Sequence, residues 1–273
     1  MISPVQIENI EKTISKETLE EEWKKLPSVP RLRKKLNIGR DLLARALHHY
    51  NIRPYKTREQ LKRYSHNLDN FKIDSEQKSY FIGFILADGS VRRCPGNKFR
   101  FEIGLSQKDK DQLEKIKYFL NSTHPIRMGT QNIASLSILS KDLFEELAKY
   151  NIYPNKTLKE TCPEQFKLDK HFWRGVIDGD GYVTTHSTRK YPDLGLCGTK
   201  EICDSFLHFI KENGIQTKAQ PRHRPPFINN HYGISFQGKP AYEIIKLLYE
   251  NSQYFLTRKK EMADKILNEF VKQ

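Results

Sequence analysis

Two aspartates, Asp88 and Asp180, each close an apolar run, in YFIGFILADGSV (80–91) and in FWRGVIDGDGYV (172–183). In each run two small residues sit four apart, Gly83 with Ala87 and Gly175 with Gly179. On a helix such residues share a face, and small side chains there let two helix backbones approach closely. A glycine inside a helix costs about 1 kcal/mol relative to alanine, and close approach is the expected compensation. The two runs should therefore pack on each other, with Gly89 and Gly181 as left-handed terminators. Both carboxylates then face the negative ends of two helix dipoles, and each other. A divalent cation relieves both repulsions, and hard oxygen ligands point to Mg²⁺. Paired acidic groups that hold metal against a phosphodiester are a route to its hydrolysis.

The elements that must position these aspartates recur in the same order. After each run comes an alternating stretch, in which Phe99, Phe101, Ile103 and Leu105 face one way in the first copy. A helical pattern follows, QKDKDQLEKIKYFLN against TKEICDSFLHFIKENG. Then come a second alternating stretch, NIASLSILS against HYGISFQG, and a second helix, KDLFEELAKYN against KPAYEIIKLLYEN. This order predicts a duplication with halves at 76–165 and 166–273, each α+β with an antiparallel sheet. Residues 1–70 form a separate block, helical in pattern.

Charge narrows the partner. The chain has 273 residues and a net charge of +14, which suits a polyanion, above all nucleic acid. Residues 23–64 concentrate it, with thirteen lysines and arginines against Asp41 and Glu59, whereas residues 1–22 hold six glutamates against Lys12 and Lys16. Within the basic block, Leu32, Leu36, Leu43 and Leu47 recur at helical spacing around a turn at Asn37-Ile38-Gly39. Ile38 should plug the angle, leaving Arg40, Asp41, Ala44, Arg45 and His48 outward, an arrangement like a helix-turn-helix. The following KTREQLKRY (56–64) would add phosphate contacts. A solvated helix is the default for the acidic start. Cys94, Cys162, Cys197 and Cys203 form no metal-binding spacing and read as reduced thiols. No apolar stretch is long enough to span a membrane, and the N-terminus lacks a secretory pattern, so an intracellular protein is expected.

On the two motifs, their repeat order and the basic charge, residues 76–273 resemble the two-motif, single-chain LAGLIDADG homing endonucleases. The nine-residue motif falls on Phe81–Gly89 and Trp173–Gly181. The resemblance implies two pseudo-symmetric αββαββα halves, motif helices at their interface, and antiparallel sheets forming a saddle over DNA. It assigns the catalytic metal to Asp88 and Asp180; whether the backbone at position 87 contributes is open. The sixth motif position is Asp178 in the second copy but Leu86 in the first, which touches local capping and not catalysis. Gln107 matches a polar residue on the strand after the motif, where the second half has Gly198. Lys156 and Lys259 match a basic residue late in each half, placed to position water or stabilise phosphate charge; surface phosphate clamps or solvated lysines remain the alternative.

Specificity would come from alternating strand residues. Outward candidates for DNA contact are Arg92, Arg93, Lys98, Arg100, Arg189, Lys190, Arg222, Arg224 and Gln237, with Arg40 and Arg45 on the N-terminal block. Arginine pairs with guanine edges and glutamine with adenine; which of these read bases and which touch phosphates is open. The expected activity is Mg²⁺-dependent cleavage of both strands of a long pseudo-symmetric duplex by a monomer encoded with a mobile intron. Two other readings stay open: a non-cleaving transcription regulator and an intron maturase that binds RNA. An intein origin is not expected, since residue 1 is neither Cys nor Ser and no His-Asn ends the chain.

Overall fold

The computed structural model describes residues 4–26, 28–52, 64–186, 188, 191–224 and 230–270. It divides into two compact units, Met1–Arg63 and Tyr64–Gln273.

The first unit has helices α1 (Pro4–Thr13), α2 (Lys16–Lys25), α3 (Val29–Leu36) and α4 (Arg40–His49). Its core joins Ile10, Ile14 and Leu19 to Leu32, Leu43, Ala46 and Leu47. The acidic start is thus more than a solvated helix. Its Ile10, Ile14 and Leu19 are three of the seven residues of the core that α3 and α4 need, and Glu22 pairs with Lys35 of α3. Asn37 ends α3 in the left-handed region, at φ 53°, and Ile38 packs against the cluster. Arg40, Asp41, Ala44, Arg45 and His48 are all exposed on α4.

The second unit opens with α5 (Glu76–Asp88), β1 (Gly89–Cys94) and β2 (Lys98–Ser106). It continues with α6 (Lys110–Phe119), β3 (Arg127–Met128), β4 (Ile133–Leu139) and α7 (Lys141–Ala148). The order then repeats as α8 (Lys170–Asp180), β5 (Gly181–Thr185), β6 (Pro192–Gly198), α9 (Lys200–Glu212), β7 (Arg222–His223), β8 (Tyr232–Gln237) and α10 (Lys239–Tyr249). The strands form two four-stranded sheets, β1-β2-β4-β3 and β5-β6-β8-β7, antiparallel throughout. This is the α+β architecture of two equivalent αββαββα halves.

One device starts both motif helices. Ser75 accepts from the Lys78 N–H at 3.2 Å, and Asp169 accepts from the His171 N–H at 2.7 Å. Such caps satisfy backbone donors that have no partner inside the helix. Each sheet buries one face under helices: Val91, Phe101, Ile103, Leu136 and Ile138 in the first, Val183, Leu194, Leu196, Ile234 and Phe236 in the second. The alternation at Phe99, Phe101, Ile103 and Leu105 follows this inner face. The halves differ in one respect that their patterns did not announce. The second half continues into α11 (Thr257–Phe270), where Ala263 and Ile266 are buried, and the first half has no such helix among its described residues.

Candidate active site at the paired motif helices

Helices α5 and α8 pack side by side at the distance their small residues allow. A Cβ on Gly83 would overlap the Phe172 carbonyl, and one on Gly175 the Tyr80 carbonyl. A Cβ on Gly179 would strike that of Ala87 and stand 3.4 Å from Asp88 Oδ2. The second carboxylate therefore enters from the same ends of the same helix pair. Gly89 and Gly181 are not left-handed terminators. Their φ values are −77° and −104°, ordinary extended backbone, and each helix runs straight into its strand. Glycine is needed there for space: a Cβ on Gly89 would stand 2.6 Å from the Ile85 carbonyl oxygen, and one on Gly181 2.8 Å from that of Ile177.

Lysines reach the C-terminal carbonyls at these helix ends. Lys156 Nζ donates to the Leu86 and Ala87 carbonyls at 2.6 and 3.1 Å. Lys259 Nζ donates to those of Ile177, Asp178 and Gly181 at 2.7, 2.8 and 2.6 Å. An ammonium has three N–H groups, so Lys259 is saturated by backbone, while Lys156 has two backbone acceptors and the Glu160 carboxylate at 3.9 Å, beyond hydrogen-bond distance. Lys156 comes from the segment after α7, and Lys259 from the first turn of α11; the extra helix delivers the second cap. Burial pulls the Lys259 ammonium down to about 8, against the pull of Asp178, Asp88 and Asp180. Burial lowers Lys156 too, opposed by Glu160, Asp180 and Asp88.

Saturation makes a prediction. Lys259→Met removes donors from the Asp178 and Gly181 carbonyls, and leaves the Ile177 carbonyl with the Gly181 N–H alone; it is expected to destabilise the second unit by roughly 2–4 kcal/mol in urea unfolding. Lys156→Met, with two carbonyls at stake, is expected to cost less. Unchanged stability in Lys259→Met with cleavage lost would instead assign that ammonium to the substrate.

The aspartates sit between these cations. Burial pushes the Asp88 carboxyl above the usual range, with Lys259, Lys156 and Arg258 pulling it down. Asp180 is exposed by surface area, but protein atoms crowd its carboxyl from behind. That crowding, with the negative charges of Asp88 and Glu160, pushes it up to about 6 against Lys156 and Lys259. A cavity of roughly 170 Å³ opens beside it, lined by Ala87, Glu160, Gly198 and His231 among others.

A buried polar network holds the helix pair in register. Asp178, 1% exposed, accepts from Tyr80 Oη at 2.8 Å, Tyr249 Oη at 2.6 Å and the Leu256 N–H at 2.6 Å. Buried Arg174 donates to Glu76 at 2.7 Å and to the Tyr254 and Leu248 carbonyls. The Asp178 contact to Leu256 fixes the segment that leads into Lys259. The asymmetry of Leu86 against Asp178 thus has a physical cause, because among the described residues the second half alone has a following helix to anchor. Sequence reasoning missed Tyr80, Arg174, Tyr249 and Glu160. An arginine inside an apolar motif run was the one available signal, since a buried charge requires partners.

The remaining expected residues divide. Gln107 lies one residue beyond β2, exposed on a 3-10 turn, and not on the strand itself; its backbone N–H donates to the Asn132 carbonyl at 2.7 Å and its carbonyl accepts from the Lys110 N–H. Asp109 follows it, buried and paired to Arg258 at 3.1 Å. Arg92, Lys98 and Arg100 share the open face of the first sheet, and Arg92 is the cross-strand partner of Arg100. Arg93 cannot join them, because neighbouring strand residues point to opposite faces; it is exposed and turned toward Asn97. Arg222, Arg224 and Gln237 are exposed on the second sheet and its edge. Arg189, Lys190 and residues 56–63 lie outside the described residues. Arg40 and Arg45 belong to the first unit.

Residues 75–150 match the family model described as a LAGLIDADG-like domain. A DNA polymerase of Methanocaldococcus jannaschii is 27% identical over 146 residues, covering 46% of this chain and 8% of that protein. The chain therefore spans less than a tenth of the curated relative it matches. Among solved structures, the I-LtrWI LAGLIDADG homing endonuclease bound to target DNA is similar at a TM-score of 0.50 and 14% identity, over 72% of this chain and 91% of that one. The meganuclease I-SmaMI bound to uncleaveable DNA is similar at 0.50 and 13% identity, over 71% and 91%. Residues 75–150 are a LAGLIDADG-like domain, and the chain has the two-sheet fold of the LAGLIDADG homing endonucleases.

Proposed function

We propose that this protein is a divalent-metal-dependent endonuclease that cuts both strands of duplex DNA at a long, pseudo-symmetric site. The observation that carries the reading is the approach of Asp88 and Asp180 at the ends of two helices held in contact through glycine. Burial opposes the charge on both, and the negative charge of Asp88 further opposes ionisation of Asp180. A regulator that only binds has no use for carboxylates kept in such a place. The donor set suits Mg²⁺. Among the described residues no group of three or more His, Cys, Asp and Glu could hold a metal, which leaves most of a coordination shell to water and phosphate oxygens, as Mg²⁺ prefers. When bound, the cation would activate water and neutralise charge on the phosphate.

The chain's own groups do the rest. Asp88 and Asp180 would hold the cation and orient the attacking water. Lys156 has an N–H left for a water or a phosphate oxygen. Lys259 fixes the end of α8, and so the position of Asp180. One chain supplies both aspartates, so a monomer suffices. The open sheet faces would lie on the duplex, and exposed Arg40 and Arg45 of α4 would extend the footprint as a recognition helix does. No described helix is long and apolar enough to cross a membrane, and an enzyme with a DNA substrate would work inside the cell.

The test is to incubate the protein with a randomised duplex library in Mg²⁺ and in EDTA and to sequence the ends. Cuts at one long motif, in Mg²⁺ only, are expected. Selective retention of a motif without cuts would make the protein a regulator, and the absence of both cuts and retention would overturn the reading in favour of an RNA partner.

A further inference from the structure

The two sheets are equivalent strand for strand, so their open faces can be compared row by row. Leu139 and Gln237 each end the third strand, directly before the residue that caps the next helix. Cross-strand pairing then defines the outer row of each half. In the first sheet it is Arg92, Arg100 and Leu139; in the second it is Thr184, Asp193 and Gln237.

The rows have opposite chemistry. In the first, Arg92 is paired with Glu102 at 3.2 Å. Arg100 is in no ion pair among the described residues, and its Nε is buried without a hydrogen-bond partner. Leu139 is 48% exposed. The row offers donors, positive charge and an aliphatic surface, and among the described residues only Arg92 has an ionic partner within the chain. In the second row, Asp193 accepts from Tyr182 Oη at 3.0 Å and from Gln237 Nε2 at 3.2 Å, while Gln237 Oε1 accepts from Tyr191 Oη at 3.3 Å. These bonds fix the Asp193 carboxylate in place as an acceptor with spare lone pairs. A carboxylate there repels phosphate and can be satisfied only by a donor.

Major-groove edges divide along the same line. Guanine and thymine present keto acceptors, with a methyl group on thymine, whereas cytosine and adenine present amino donors. Resting on the endonuclease reading above, we propose that the two outer rows read opposite base classes at dyad-equivalent positions. The Arg92–Arg100–Leu139 row takes keto bases, with thymine's methyl against Leu139; the Asp193 row takes amino bases. The target is then non-palindromic at this row, and the chain lies on its site in one orientation. Leu139 and Asp193 are the specificity-determining residues.

The experiment selects a bound duplex from a randomised library, then measures binding of that duplex with single substitutions. Replacing thymine by uracil at the Leu139 position deletes one methyl and is expected to weaken binding about 3-fold. The same replacement should have no effect on Leu139→Ser. Asp193→Asn, whose amide both donates and accepts, should relax the amino preference at its position about tenfold, with preferences elsewhere unchanged as the control for folding. A selected site with the same base at both dyad-equivalent positions would overturn the proposal. So would an Asp193→Asn variant that keeps the wild-type preference. If no duplex is selected at all, the endonuclease reading itself fails, and this inference with it.

Discussion

Asp88→Asn and Asp180→Asn are each expected to lose cleavage by on the order of 10³-fold or more, which corresponds to several kcal/mol of lost metal assistance. Duplex binding should change little, because neither residue lies on the open sheet faces. Gel retention in EDTA, beside cleavage in Mg²⁺, separates the two effects; full cleavage by both variants would remove the aspartates from the mechanism. A second readout is independent of catalysis. Asp180 is raised to about 6 from an ordinary carboxyl value of 3.8. Between those values the folded protein binds more protons than the unfolded chain, so stability falls as pH rises through this window. Above pH 6 the metal-free protein carries the full cost. Asp180→Asn removes it and is expected to melt slightly higher than wild type at pH 7.5. The gain is about 1 kcal/mol once solvent screening at its exposed edge is discounted. The gain should vanish below pH 4, where Asp180 is protonated in both states. Mg²⁺ should stabilise wild type, and not this variant, at pH 7.5.

Gly175→Ala is expected to be the most damaging single-methyl change in the second unit. The added Cβ would overlap the Tyr80 carbonyl oxygen and stand 2.8 Å from the Phe84 backbone nitrogen. Both obstacles are backbone, so no rotamer change relieves them. Alanine brings back about 1 kcal/mol of helix propensity, but forcing the helices apart costs more, about 3 kcal/mol or above when overpacking and the disturbed Asp178–Tyr80 and Arg174–Glu76 bonds are added. Urea unfolding measures this directly. Cleavage should fall with it, since separating α5 from α8 also separates Asp88 from Asp180. Stability equal to wild type would mean that the helices are not held where their glycines place them.

Much of this was legible in the residues. Gly83, Gly175 and Gly179 declare a close helix pair, because a mid-helix glycine is unfavourable unless something must come near. Alternation at Phe99, Phe101 and Ile103 declares an inner sheet face, because strand side chains alternate by two. The order of elements repeats visibly, and Asp88 and Asp180 follow from both. The role of Gly89 and Gly181 was misread. A glycine after a helix signals a left-handed cap when local geometry alone is considered, whereas here the chain stays extended and the glycines make room for neighbouring backbone. Gln107 fell just beyond its strand, as residues near element ends do when pairing rather than propensity sets the boundary.

What the sequence determined by itself is therefore periodic or local: two apolar helices with small-residue faces, alternating strands, a duplicated order, a basic surface and two aspartates at equivalent places. Tertiary structure alone decided who meets whom across long stretches of chain. Lys259 reaches the end of α8 from 78 to 82 residues away, and Lys156 the end of α5 from 69 to 70. Asp178 gathers Tyr80, Tyr249 and Leu256 from three separate segments. The physical reason is that burial is shared. An ammonium or a carboxylate inside a protein is tolerated only with partners, and partners drawn from different elements exist only once those elements have packed. The same holds for the two outer rows, where Arg100 and Leu139, and Asp193 and Gln237, become neighbours through strand pairing.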